Sequence, residues 1–206
     1  MQLAVRSRRE AGRDLPVLVW RSGEPLRCCS TAPHGGGLGL RRWVVNAQVP
    51  PSYVRRDPGA HLAKLGVSLG LAGSGVGMMT TAPVREHARW DDGGVTAWAT
   101  LGLGHAVLAA APDGGGAEQV GTINLVCLVP ERLSDAALVN AVATATEAKA
   151  QALWDLGLRA TGTATDAVAV LCPDGGRPAA FGGPRSMWGS RLARAVHGAV
   201  VAGGRP

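Results

Sequence analysis

Residues 134–171, SDAALVNAVATATEAKAQALWDLGLRATGTATDAVAVL, constrain the fold more than any other part of this chain. They read as an alanine-rich helix, a turn at Gly157 and a threonine-rich strand carrying one acid. Ser134-Asp135 supplies a good N-cap and so fixes where the helix begins. At about 100° per residue, Leu138, Val142, Ala145, Leu153 and Leu156 fall on one face, and Lys149 stands in the middle of that stripe. Lysine is scarce here: Lys64 and Lys149 are the only two, against nineteen arginines. Lys149 either lays its stem along the core and lifts its ammonium to water, or is desolvated and paired. In the second case the nearest acid able to face it is Asp166 on the following strand. Burying either charge alone costs several kcal/mol, so a buried pair here marks a site.

At 206 residues and 46% hydrophobic, the chain suits one well-buried domain. Its net charge of +6 suggests nucleic acid until it is located: residues 1–42 hold eight arginines and three acids, and the rest holds thirteen basic and twelve acidic groups. With one Tyr, one Phe and no basic stripe interleaved with aromatics, no nucleic-acid partner is expected. Cys28, Cys29, Cys127 and Cys172 form no CxxC or Cys/His spacing, and the five histidines form no i, i+4 pair. No protein-bound zinc or magnesium is therefore expected. The basic N-terminus lacks a following apolar region and no apolar run reaches spanning length, so the expectation is a cytoplasmic protein without a membrane partner. Oligomeric state is left open.

Along the chain, residues 1–40 read as a basic N-terminal segment, partly extended, with an apolar run at 15–20 and a glycine cluster at 32–39. Residues 41–206 read as the main domain. RWVVNAQV at 42–49 is strand-like, ends at Pro50-Pro51, and holds Asn46 inside it or at its lip. Residues 61–71 have helical spacing, and GLAGSGVG at 70–77 leads into a strand at 76–82. A dinucleotide fingerprint needs a strand before the glycines and a helix after them, the reverse of this order. That turn serves either a close backbone approach or the wall of a bulky ligand site. Residues 95–103 and 106–111 read as strands separated by Gly104-His105, with His105 a general base or a simple hydrogen-bonding group. A surface turn is expected at 114–116. Residues 122–129 form a strand whose polar interruption is Asn124. In 161–171, strand alternation puts Thr161, Thr163 and Thr165 on one face and Asp166 on the other with Val168 and Val170, delivering a carboxylate to a cleft. A last helix from about Gly189 can dock on the sheet. The expected fold is α+β, a single domain with a mixed β-sheet and packed helices.

Six blocks together carry a resemblance: WVVNAQV at 43–49, GVGMMTTA at 75–82, WATLGLGH at 98–105, GTINLVCLV at 121–129, ATATEAKAQALWDLG at 143–157 and TGTATDAVAV at 161–170. The chain resembles the adenosylcobinamide amidohydrolase family of cobamide salvage over roughly residues 40–202. The resemblance implies a small-molecule corrinoid substrate and hydrolysis of the amide joining its propionyl side chain to aminopropanol. The products would be adenosylcobyric acid and 1-amino-2-propanol. No cofactor is implied, because the cobalt is carried by the substrate.

Amide hydrolysis needs an activated nucleophile, a stabiliser for the oxyanion and a proton for the departing amine. The chain has no GxSxG elbow, which leaves water activated by a carboxylate or a threonine activated by Lys149. Asp166 is the preferred base or orienting group, and Lys149 the preferred proton donor or oxyanion partner. Asn46 and Asn124 offer neutral amide donors. Glu147, on the opposite helical face with Asn140 and Gln151, is a second-choice carboxylate or part of a solvated stripe. Thr163 and Thr165 either hydrogen-bond substrate or reflect β propensity. A corrin ring requires an open cleft, so Ser74, Gly75, Gly77, His105 and the 163–166 lip are expected to border one cavity with Asn46 and Asn124. Two alternatives stay open: a corrinoid-binding protein without turnover, and a self-processing threonine-nucleophile enzyme using Thr163 or Thr165.

Overall fold

Alternating apolar residues build most of this molecule. The computed structural model describes residues 1–10, 12–112 and 121–205, so the turn expected at 114–116 lies outside the described residues. In chain order the elements are β1 (Gln2–Glu10), β2 (Arg13–Ser30), β3 (Gly37–Gln48), α1 (Pro58–Ser68), β4 (Gly75–Thr80), β5 (Ala88–Asp92), β6 (Val95–Gly102), β7 (Thr122–Leu128), α2 (Asp135–Asp155), β8 (Ala167–Pro173) and α3 (Met187–Gly204). The strands form one mixed sheet in the order β4-β3-β2-β8-β7-β6-β5, with β1 also on β2. The pairs β3·β4 and β7·β8 are parallel, each with one helix in its connection, and the others are antiparallel.

The 18-residue β2 organises the sheet. β1 pairs with its first half and β8 with its second, and the register breaks between Arg21 and Leu26. Val17 and Val19 face Leu62 and Leu65 of α1 together with Trp43 and Val45 of β3. Leu18 and Trp20, on the opposite face, join Val44, Val76 and Met78 in a cluster with Trp98, Val126, Ala169 and Leu171 from the other end of the sheet. The sheet therefore curls until its two halves share an apolar interior, where Trp20 and Trp98 meet edge to face with centroids 6.0 Å apart. α2 and α3 cover the outer face of the second half through Leu138, Ala145, Leu153, Leu192 and Val196.

The α+β architecture and single domain are as expected, and four local readings need correction. The boundary drawn at residue 40 lies inside β3, and β2 is a central strand. Residues 106–111 are not a strand: Val107 makes one isolated bridge to Gly162, and Val107 and Leu108 are exposed. Residues 161–166 form a loop before β8, because Thr163 N turns toward the Asp166 carboxylate instead of a neighbouring strand. α3 begins at Met187, where Ser186 accepts the N-cap hydrogen bond from Gly189 N.

Candidate active site

A cleft of about 1050 Å³ opens where β3 and β4 end and β7 and β8 begin. The chain leaving β2 crosses this end of the sheet. Thr31 N donates to Val168 O at 2.9 Å, and farther on Gly77 N donates to His34 O at 2.9 Å on the outer edge of β4. One side of the cleft carries Thr122, Asn124, Thr165 and Asp166, and Tyr53, Arg55, Thr80 and Thr81 also line it. His105, in a short 3₁₀ turn after β6, is the imidazole among the lining residues.

Lys149 and Asp166 pair beside this cleft, their side chains only 6% and 12% exposed. The carboxylate is saturated: Oδ1 accepts from Ile123 N at 2.8 Å and from the Thr163 hydroxyl, while Oδ2 accepts from Thr163 N at 3.1 Å and from Lys149 Nζ. This arrangement holds the 162–166 loop against the start of β7. Gly162 is part of it, since a β-carbon there would run into both Lys149 Nζ and Asp166 Oδ2. Next to the pair, the Thr165 hydroxyl donates to Gly121 O at 3.1 Å and lies 2.7 Å from the Thr122 hydroxyl.

A buried amide chain ties the two halves of the sheet together behind this wall. Asn46 Nδ2 donates to Thr100 Oγ1 at 2.7 Å, and Asn124 Nδ2 donates to Asn46 Oδ1 at 2.9 Å and to Met79 O at 3.0 Å. Asn46 is 1% exposed and does not line the cleft, whereas Asn124 does. Both amide protons of Asn124 are spent in this network. Its Oδ1, buried and without a partner among the described residues, is the group left over.

A second charged cluster stands behind Tyr53. The Tyr53 hydroxyl is 3.0 Å from His61 Nδ1 and the two rings are offset-stacked; His61 Nε2 is 3.1 Å from Glu10 Oε1. Arg8 holds the other oxygen of Glu10 at 2.8 Å and donates to Gln48 O at 2.9 Å. Burial pushes the Tyr53 phenol up from its ordinary pKa. No local sequence pattern joins Glu10, Tyr53 and His61, although Tyr53 is the chain's only tyrosine.

Of the residues selected from sequence, the structure brings His105, Asn124, Thr165 and Asp166 to the cleft, with Lys149 and Thr163 behind Asp166. Ser74, Gly75 and Gly77 are not among its lining residues. Gly75 begins β4 and Thr80 ends it, about 17 Å away at strand rise. The glycines serve packing instead: a β-carbon on Gly75 would enter the Trp43 indole, and one on Gly77 would press on Leu62 and His34. Ser74 and Glu147 are exposed, Glu147 on the solvent side of α2. Burial pushes the Cys28 and Cys127 thiols up to about 12, which keeps both protonated and poorly nucleophilic. Among the described residues no three His, Cys, Asp or Glu side chains converge as metal ligands, and no helix is long and apolar enough to cross a membrane.

Comparison with known proteins agrees with the resemblance read from the sequence. The family model described as adenosylcobinamide amidohydrolase matches residues 2–205. An adenosylcobinamide amidohydrolase of Methanosarcina mazei is 29% identical over 177 residues, covering 82% of this chain and 85% of its own. A protein of the same description from Halobacterium salinarum is 39% identical over 132 residues, covering 61% of this chain and 57% of its own. The match begins at β1 and ends in the last residues of the chain, so it takes in every strand of the curled sheet and every residue lining the cleft. The chain belongs to the adenosylcobinamide amidohydrolase family.

Proposed function

We infer that this protein hydrolyses adenosylcobinamide at the amide between the corrin propionyl side chain and aminopropanol, releasing adenosylcobyric acid for cobamide salvage. The observation that carries this reading is the family match from residue 2 to residue 205. An open cleft of about 1050 Å³ suits a ligand that is bound along one edge and left partly outside. The cobalt arrives with the substrate.

Within that reaction the geometry favours an orienting role for Asp166 over a role as base. All four of its acceptor positions are occupied, so taking a proton from water would first break an existing bond. Lys149 neutralises Asp166 and fixes the lip that presents Thr165. The hydroxyls of Thr165 and Thr122 are the proposed contacts to the substrate amides. His105 is the proposed base that draws the proton from the attacking water, because it is the imidazole among the residues lining the cleft. Four free cysteines support a reducing compartment, and the cytoplasm is the proposed location.

The test is incubation of purified protein with adenosylcobinamide, followed by chromatography for adenosylcobyric acid. Wild type is expected to form it, and His105→Ala is expected to lower kcat on the order of 10²-fold. A wild-type protein that binds cobinamide and releases no cobyric acid would overturn the enzymatic reading.

A further inference from the structure

We propose that Tyr53 is the acid that protonates the departing amine, recharged along the chain Glu10–His61–Tyr53. This rests on the cleft being the amidohydrolase site. Tyr53 lines the cleft, and its hydroxyl is tied directly to an imidazole whose other nitrogen faces a carboxylate. A carboxylate on Nε2 fixes the orientation of the ring. When both ring nitrogens carry a proton, Nδ1–H donates to the Tyr53 oxygen, and the phenolic proton is left to point into the cleft.

The surroundings suit this role. Glu10 is held by Arg8, whose side chain is 9% exposed and anchored on Gln48 O, and His61 is 12% exposed. The charged groups acting on Tyr53 are Arg55, Asp57, Glu10 and Arg8, and each is itself paired: Arg55 with Asp57, and Arg8 with Glu10. A phenol whose ionisation is discouraged by burial keeps its proton at neutral pH and serves as an acid, not as a phenolate nucleophile. Arg8 and Glu10 both lie on β1, which gives the N-terminal strand a task in the site beyond pairing with β2.

The step balances as follows. The water oxygen forms a bond to the carbonyl carbon and its proton passes to the base. The C–N bond breaks with its electron pair staying on nitrogen, and that nitrogen takes the Tyr53 proton. Tyr53 recovers a proton from His61 Nδ1, and the neutral imidazole is reprotonated from solvent.

The experiment compares two substrates in one preparation of the full chain: adenosylcobinamide, whose amine must be protonated to leave, and the p-nitrophenyl ester of adenosylcobyric acid, whose phenolate leaves unaided. Tyr53→Phe is expected to lower amide turnover on the order of 10²-fold or more through kcat, with ester turnover nearly unchanged. His61→Gln is expected to change the ratio in the same direction, and that ratio does not depend on how much of a preparation is folded. Unchanged amide turnover in Tyr53→Phe, or an equal fall on both substrates, overturns the proposal. A wild-type protein that forms no adenosylcobyric acid overturns the reading of the cleft and this proposal with it. An active wild type with an unaffected Tyr53→Phe overturns the proposal alone.

Discussion

Two charged clusters flank one cleft and are built in opposite ways. Lys149–Asp166 is closed: both side chains are nearly buried, and every acceptor position of the carboxylate is filled. Glu10–His61–Tyr53 is open: Glu10 keeps 27% of its side chain exposed, and the chain ends on Tyr53, which lines the cleft. A saturated ion pair resists proton exchange and holds backbone in place. A linear chain of donors and acceptors with one free end can pass a proton at little cost in position. On the proposed reading, the first cluster serves architecture and the second chemistry.

The largest expected effect breaks the closed cluster. Asp166→Ala leaves the Lys149 ammonium buried without a counter-charge and removes the anchor of Thr163, Ile123 N and the whole lip. A loss of about 3–5 kcal/mol in stability is expected, read as a lower urea midpoint at constant slope. Glu10→Gln, at a carboxylate that keeps 27% of its side chain exposed, should cost less stability than Asp166→Ala and show itself in kcat. Equal losses of stability in the two variants would erase the distinction between the walls.

How legible each wall was follows from the same contrast. Lys149 and Asp166 announced themselves because each is a charge on an apolar pattern, and periodicity detects such exceptions. Most of the second half of the sheet was legible for a related reason: β6, β7, α2 and β8 are apolar runs with clear breaks between them. The first forty residues misled because β2 mixes charge with apolar residues. Its alternation from Val17 to Trp20 serves two different cores, one under α1 and one inside the curled sheet. The Gly-rich turn misled for another reason, since glycine signals close approach without saying to what; here the partner is Trp43, not a ligand. Glu10, Tyr53 and His61 were invisible because nothing local links residues that meet only when β1, the chain after β3 and α1 converge.

Gly75→Ala tests what stands behind the open wall. The added methyl would enter the Trp43 indole, which also lies against Gly66 of α1, the helix that carries His61. Overpacking of this kind costs typically about 1–3 kcal/mol. The expected outcome is a lower melting temperature together with a smaller kcat, because α1 must move and take His61 with it. Lys149 and Asp166 lie outside that cluster and should be undisturbed. Weaker cobinamide binding with unchanged stability would restore Gly75 as a wall of the site and undo the division drawn here.

The smallest effect probes the helix behind the closed wall. Ser134 caps α2 by accepting a hydrogen bond from Ala137 N at 3.1 Å, and removing such a cap costs about 1 kcal/mol. Lys149 lies fifteen residues farther on, about 22 Å along the axis at helical rise. Between them Leu138, Ala141, Ala145 and Ala148 fix α2 against the sheet, and past Lys149 Ala152 and Leu153 do the same. Ser134→Ala should therefore fray the first turn, lower the melting temperature by a few degrees, and leave kcat and KM for adenosylcobinamide at their wild-type values. A fall in kcat would mean that the Lys149–Asp166 clamp depends on the whole helix rather than on its local packing, and the closed wall would then be the more fragile of the two.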